Sequence, residues 1–350
     1  MLKKNSRSYF SVIIPLRELS YVLLFENLPA FDNQTYKKFE VIVLPNDHSQ
    51  YDISLLKKYK WLRIIPTGKI IKPAEKRNIG VHQAKGNIVT FIDDDAYPKA
   101  DFLEQASTLF TDKTVAVCGP GILPLNASLW ESVFDEVLKS WMGSGEYAYR
   151  FTPRKKRFVD DFPSMNFSIK KNIFLKLGGF KGNYWPGEDS KLCEDVAYKE
   201  RKKILYHPDV IVFHHRRKDL ESYLKQHANY GFHRGAFFAH GDKNSLRISY
   251  LVPTFFVFYL LFSTVFSVFL LHFSYLLSSN YYLIIIIFYF PLIAYIILAL
   301  QIFLNSLLNR KNLAIALFSP FVLFTTHVVY GIMFIKGFWK GMRNKDRIYQ

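Results

Sequence analysis

The 350-residue sequence predicts an α/β domain built on a mostly parallel sheet, followed by an α-helical membrane domain. Three observations carry that prediction. Over residues 1–245, short runs of β-branched and aromatic residues alternate with helix-length polar segments, the pattern of strands joined by crossover helices. One of those runs, Ile88-Val-Thr-Phe-Ile92, ends in three adjacent carboxylates, Asp93, Asp94 and Asp95. From Leu251 to Asn309 there is no Asp, Glu, Lys or Arg, which ordinary soluble domains do not show.

The elements follow in order. Tyr9-Phe-Ser-Val-Ile-Ile-Pro15 reads as a buried strand stopped by proline, and Lys38-Phe-Glu-Val-Ile-Val-Leu-Pro45 repeats it. Residues 19–36 between them fit a helix, so the two strands form a parallel pair with a right-handed crossover. Asp47 follows at the carboxyl end of the second strand, in Asn46-Asp-His-Ser49, where an Asx turn also accounts for it. Leu62–Pro66 gives a third strand. Residues 73–84 begin with proline at a helix N-terminus and offer Ile79, Val81 and Ala84 as an inner face. Strand 88–92, a helix near 100–110 and strand Val115–Cys118 come next. Arg150 to Arg157 reads as a basic loop, Val159–Lys170 as a turn leading into an edge strand, and Leu177-Gly-Gly-Phe180 as a second turn. Glu188 and Asp189 open a helix over 191–202, where the helix dipole alone favours acids. The last strand region, 203–213, runs into His214-His-Arg-Arg217.

Composition narrows the class. Half the residues are hydrophobic, 33 are Phe and 22 are Tyr, and the net charge is +17. Beside apolar spans, that charge points to an anionic membrane surface rather than to nucleic acid. Two cysteines, Cys118 and Cys193, in no metal-ligand spacing, fit a reducing compartment and no structural zinc. The polar start, Met1-Leu-Lys-Lys-Asn-Ser-Arg7, leads straight towards a strand and reads as no signal peptide, so the front domain is expected in the cytoplasm.

In an open α/β sheet ligands bind outside the carboxyl ends of the strands, which is where the three acids stand. Adjacent anions repel unless a cation compensates them, and hard oxygen ligands suit Mg²⁺ or Mn²⁺. A strand ending in Asp-x-Asp after Gly86-Asn-Ile88 resembles the site of family-2 glycosyltransferases, and Asn166-Phe-Ser-Ile…Gly178-Gly-Phe180 and Glu188-Asp189 agree in order. The resemblance covers roughly residues 9 to 240 and implies a GT-A (Rossmann-like) fold, a nucleoside-diphosphate sugar as donor and a divalent metal, Mn²⁺ or Mg²⁺.

The resemblance also implies roles. Asp47 and Pro15 line the base pocket, although Leu16-Arg-Glu18 departs from the usual ending of the first strand. Lys76, Arg77 and Asn78 face the nucleotide-sugar, a cation there suiting the diphosphate. Asp95 binds the divalent ion, and Asp93 serves the ribose or the metal. Asp94 is grouped with the nucleotide-facing residues, although alternation along an extended segment turns it away from the metal. Asp189 is the general base for the acceptor hydroxyl, with Glu188 next in line. His214 completes the metal set; His215 is the alternative, because a one-residue step flips a side chain to the other face. Arg216 and Arg217 are candidates for phosphate or lipid head groups.

Residues 220–233 read as an amphipathic helix carrying Gln226-His-Ala-Asn-Tyr-Gly-Phe-His-Arg234, in place of the Gln-x-x-Arg-Trp of processive relatives. One sugar per encounter is expected. Residues 250–273 and 281–304 are each long enough to span a bilayer, joined by a short turn at 278–280 into a hairpin with Arg247 and Arg310-Lys311 on the cytoplasmic side. A third apolar segment, 313–335, is spanning or interfacial. A helix broken near Pro320, His327 and Gly331 returns the basic tail with Lys345 and Arg347 to the cytoplasm. The expected protein sits in the cell membrane with transferase domain 1–245 and membrane domain 246–350. It moves a sugar, with inversion, to a lipid-linked or cell-surface glycan acceptor. Transfer to polyprenyl phosphate, and a catalytically silent nucleotide-sugar binder, are the alternatives. A transporter is disfavoured because the hairpin has almost no intramembrane polar groups.

Overall fold

The computed structural model describes residues 8–47, 56–184, 187–273, 281–309 and 311–343. Expectations placed on His48, Ser49, Trp185, Pro186, the turn at 278–280, Arg310, Lys345 and Arg347 fall outside them. The chain divides into two compact units, one of Met1–Leu125 and Tyr149–His215, the other of Asn126–Ala148 and Arg216–Ile348.

The first unit runs β1 (Phe10–Pro15), a π-helical turn (Leu23–Asn27) into α1 (Leu28–Asp32), β2 (Phe39–Leu44), β3 (Leu62–Ile64), α2 (Pro73–Gln83), β4 (Ile88–Ile92), β5 (Ala96–Pro98), α3 (Phe102–Ser107), β6 (Thr114–Cys118) and β7 (Gly121–Ile122). The chain then contributes α4 (Leu129–Lys139) and α5 (Trp141–Ser144) to the second unit. It returns as β8 (Arg157–Val159), β9 (Asn166–Lys170), α6 (Lys171–Lys176), α7 (Glu188–Glu194), β10 (Lys203–Tyr206) and β11 (Val212–His214). Eight strands form one sheet in the order β3-β2-β1-β4-β9-β6-β10-β8, and β5-β11-β7 form a second, small sheet. β1 pairs in parallel with both β2 and β4, and β2 with β3, so the acids after β4 emerge at the carboxyl edge.

Segment 166–170, expected at an edge, is central instead: β9 runs antiparallel between β4 and β6. Its burial explains the place, because the first four of its five residues are buried on both faces, as an interior strand requires. Asn166 secures its first residue, donating from Nδ2 to the carbonyls of Gly119 and Val210, each at 2.8 Å.

The second unit holds α4 and α5 with α8 (Leu220–His240), α9 (Ile248–Phe273), α10 (Tyr281–Leu308) and α11 (Leu313–Arg343). α4 starts at a capping box, Ser128 accepting from Glu131 N while Glu131 accepts from Ser128 N. Val133, Phe134 and Val137 on its buried face join Tyr223, Ile315, Val322 and Leu323 in one core, where Phe134 stacks on Tyr223 at 4.0 Å between ring centroids. Asp135 of α4 is buried and accepts from Arg216 Nη2 at 2.8 Å, so the guanidinium expected at a head group is held by a protein carboxylate. α8 lies close against α11. A Cβ on Gly235 would stand 2.1 Å from the carbonyl oxygen of Phe334, and one on Gly231 2.4 Å from that of Tyr330, so only glycine permits this approach.

α9, α10 and α11 each contain a segment long and apolar enough to cross a membrane: Ile248–Leu270, Ile285–Leu308 and Leu313–Arg343. The third is unbroken through Pro320, His327 and Gly331, which corrects the expectation of an interrupted helix. His327 bridges from Tyr295 OH (3.0 Å) to the Met142 carbonyl (3.0 Å), and Gly331 sits under the Pro253 carbonyl, so both residues serve helix packing.

Candidate active site

β4 delivers Asp93 and Asp95 to the carboxyl edge of the large sheet, and the small sheet brings the histidine to them. β11 pairs antiparallel with β5, setting His214 opposite Ala96, one residue past Asp95. His214 Nε2 stands 3.1 Å from Asp95 Oδ1. Asp93, Asp95 and His214 each offer a ligand atom, all within 4.8 Å of one another. Two carboxylate oxygens and an imidazole nitrogen form a mixed donor set that a divalent metal cation could occupy. His215 points elsewhere: its Nε2 meets Glu26 Oε2 at 2.9 Å, while its backbone N–H donates to the Asp95 carbonyl at 3.0 Å. Asn27 Nδ2 donates to the Ala96 carbonyl at 2.6 Å. The turn carrying Asp95 is therefore held at its carbonyls from two sides, by the His215 backbone and by the Asn27 side chain.

A single guanidinium links this cluster to the Glu188-Asp189 pair. Arg77 of α2 is buried, and its Nη2 contacts Asp93 Oδ1 at 2.6 Å while Nη1 contacts Glu188 Oε1 at 3.2 Å. The guanidinium also lies 5.6 Å from the centre of the Phe180 ring. A planar fork suits this bridging of two carboxylates, which a lysine point charge cannot reproduce. Glu188 is buried and opens α7, with Asp189 beside it. Asp189 Oδ1 accepts from Ser190 N at 2.8 Å and Oδ2 from Ser164 N at 3.3 Å. Desolvation of its carboxyl, with the charges of Glu188 and Asp161 nearby, pushes its pKa from 3.8 up to about 6. A carboxylate tuned towards neutrality is suited to take a proton near physiological pH.

Residues 11–174 match the family described as Glycosyl transferase family 2. Over those residues, just under half of the chain, the sequence is similar to family-2 glycosyl transferases. It is 28% identical over 159 residues to the pre-mycofactocin glycosyltransferases of Mycobacterium tuberculosis strains CDC 1551 / Oshkosh and ATCC 25618 / H37Rv, a match covering 45% of this chain. The chain spans 33% of the length of those curated relatives. The mannosyltransferase PcManGT of Pyrobaculum calidifontis, solved in complex with GDP-Man and Mn²⁺, superposes with a TM-score of 0.56 at 18% identity, over 96% of this chain and 88% of that one. The shared architecture is the GT-A fold expected from the sequence.

Within the matched segment, Lys76-Arg77-Asn78 do not face one ligand. Successive helical residues point about 100° apart, and only Arg77 turns to the acids. Lys76 is buried, its ammonium donating to the Leu16 carbonyl, to the Leu44 carbonyl at 3.2 Å and to Asn46 Oδ1 at 2.8 Å. Burial pulls its pKa down, and the charge of Asp94 opposes that. Asn78 ties down the glycine turn: Nδ2 donates to the Phe180 carbonyl at 2.8 Å, and Oδ1 accepts from Phe180 N at 2.9 Å. Pro15 is buried at the end of β1, and Asp47 is exposed past the end of β2.

Gly179 combines a φ of +74° with a would-be Cβ only 2.6 Å from Asn78 Oδ1. Gly179→Ala is therefore expected to destabilise the domain by at least ~1–2 kcal/mol, the cost of left-handed backbone for a residue with a Cβ. Thermal unfolding of the two proteins checks this, and an unchanged Tm would contradict it.

Two residues that shape the site, Asp161 and Ser164, were passed over in the sequence, and a third, Asn166, was read as part of a motif without a role. Asp161 is buried, accepts from Ser190 Oγ at 2.7 Å and pairs with Arg150 at 3.3 Å. Ser164 supplies the N–H that holds Asp189, and Asn166 ties together the loops after β6 and β10. A signal existed for Asp161, since Val159-Asp-Asp-Phe precedes a strand and a buried acid needs a cation such as Arg150.

Proposed function

We propose that the protein is a membrane-anchored glycosyltransferase. It moves a single sugar, with inversion at the anomeric carbon, from a nucleoside-diphosphate sugar to a lipid-linked or cell-surface glycan acceptor. The observation that carries this reading is Arg77 joining Asp93, in the acid–histidine cluster, to Glu188 beside Asp189. A donor-side and an acceptor-side carboxylate group thereby share one rigid pin. The three apolar helices support anchorage, and Arg247 before α9 with Lys311 after α10 favours a cytoplasmic transferase domain.

In the proposed reaction Asp95, Asp93 and His214 would hold a divalent cation, which would supply positive charge beside the departing diphosphate. Asp189 accepts the proton of the acceptor hydroxyl. The freed oxygen pair forms the new glycosidic bond as the bond from the anomeric carbon to the diphosphate oxygen breaks, and that electron pair leaves with the nucleoside diphosphate. Protonated Asp189 returns its proton to water. Arg77 keeps Glu188 and Asp93 paired, so the charge on Asp189 is the one available for proton transfer. The mannosyltransferase of the same fold was solved with GDP-Man and Mn²⁺, which makes these the first ligands to try.

The test is turnover. Full-length protein in detergent, supplied with UDP-, GDP- and dTDP-sugars, Mn²⁺ and a membrane lipid extract, is expected to consume one donor and glycosylate a lipid or glycan. Tight donor binding without release of nucleoside diphosphate from any donor would favour a silent binder instead.

A further inference from the structure

Two histidines stand side by side at the end of β11, and only His214 belongs to the acid–histidine cluster. His215 is used by no step of the proposed reaction, yet it is held at both ends. Its backbone N–H donates to the Asp95 carbonyl at 3.0 Å, and its Nε2 meets Glu26 Oε2 at 2.9 Å. The His215 and Glu26 side chains keep only 12% and 14% of their surface exposed, so the carboxylate needs a polar partner there. Glu26 is not itself in the Asp93, Asp95 and His214 cluster.

The local backbone explains this grip. Glu26 and Asn27 end the π-helical turn Leu23–Asn27, which is closed by the Leu28 N–H on the Leu23 carbonyl. The wider turn sets successive side chains closer to one face than an α-helix does, and such turns are frequent at functional sites. Here the two neighbours reach the two strands of one pair. Asn27 Nδ2 donates to the Ala96 carbonyl of β5, and Glu26 meets His215 just past the end of β11. β5 and β11 pair with Ala96 opposite His214, so the turn holds the residue after Asp95 and the residue after His214. Successive residues of an extended segment face opposite ways, which turns His214 to Asp95 and His215 to Glu26. All these residues belong to the first unit.

We infer that Glu26 is a positioning residue of the cation site: through His215 it sets the end of β11 so that His214 faces Asp95. This rests on the reading that Asp93, Asp95 and His214 would hold a divalent cation. Partners that orient metal ligands without touching the metal are worth about 10–100-fold in affinity. Glu26 acts from one residue beyond the ligand, so the lower end of that range applies.

The experiment measures binding of Mn²⁺ alone to full-length protein in detergent, by loss of the electron paramagnetic resonance signal of the free ion. Wild type is expected to bind at least about tenfold more tightly than Asp95→Asn, which tests the reading of the site by itself. Glu26→Ala is expected to weaken Mn²⁺ about tenfold. Glu26→Gln, whose amide oxygen still accepts from His215, should lose less than about threefold. His215→Phe keeps a ring and the N–H on the Asp95 carbonyl but loses the bond to Glu26, so it should match Glu26→Ala. Both changes remove the same link, and the double variant should therefore bind no more weakly than either single one. Three results would overturn the inference while Asp95→Asn leaves the site standing: wild-type affinity in Glu26→Ala and His215→Phe, equal losses in Glu26→Gln and Glu26→Ala, or losses that multiply in the double variant. Mn²⁺ binding that is indifferent to Asp95 overturns the inference and the reading together. Melting curves report folding, and if Glu26→Ala does not fold, His215→Phe and Glu26→Gln decide.

Discussion

Asp189→Asn is expected to lower kcat by ~10²–10⁴-fold, the range that a positioned general base contributes. Donor affinity is expected to stay within about threefold, because the amide oxygen still accepts from Ser190 N, only the longer bond from Ser164 N at 3.3 Å is lost, and Arg77 stays on Glu188. The prediction has a pH signature. Burial, Glu188 and Asp161 raise the Asp189 pKa to about 6, and the base works only when ionised. Activity should therefore rise with pH and reach half its plateau near the pH of that pKa. Asp161→Asn removes a neighbouring negative charge, so the same limb should move to lower pH. A profile flat from pH 4.5 to 8 (a range chosen to bracket about 6), in wild type and Asp161→Asn alike, would remove Asp189 from the role of base.

Asp95→Asn is expected to lower kcat/KM by about 10²–10³-fold, because charge stabilisation by the cation is worth several kcal/mol and each factor of ten corresponds to ~1.4 kcal/mol. The amide is nearly isosteric and the Asp95 carbonyl still accepts from His215 N, so the turn should hold its shape. His214→Ala is expected to act in the same direction, since its Nε2 is the third donor within 4.8 Å. Steady-state kinetics over a Mn²⁺ titration checks both. Loss of rate that added Mn²⁺ partly restores fits a weakened metal site, whereas wild-type kinetics in Asp95→Asn would remove the carboxylate from it.

Much of the first unit was legible because its strands are short buried runs, and Asp93 and Asp95 do come together, although a turn closed by Ala96 N on the Asp93 carbonyl brings them there rather than strand alternation. The choice between His214 and His215 was not legible. It depends on the pairing of β11 with β5, a long-range register that local sequence does not encode. The same limit hid the central position of β9, whose partners lie some 75 residues upstream and 50 residues upstream in the chain, as Thr90↔Ser168 and Val117↔Ser168 show. Lys76-Arg77-Asn78 read as one nucleotide-facing motif, yet helical geometry separates the three side chains. Lys76 caps strand-end carbonyls, Arg77 joins acids, and Asn78 clamps a turn. α4 was legible but went unread, for Ser128-Leu-Trp-Glu131 is a capping box at the head of an amphipathic run. α11 stays whole across Pro320 because helix packing on α8, α9 and α4 outweighs one missing hydrogen bond.

The most direct test of the proposed site is calorimetric titration of UDP, GDP and dTDP into detergent-purified protein, with Mn²⁺ and again with EDTA, for wild type and Asp95→Asn. One nucleotide is expected to bind wild type with micromolar affinity in Mn²⁺, and EDTA or Asp95→Asn to weaken it about a hundredfold. Binding that is indifferent to metal and to Asp95, or absent for all three nucleotides, would contradict a metal-assisted nucleotide-sugar site at Asp93, Asp95 and His214.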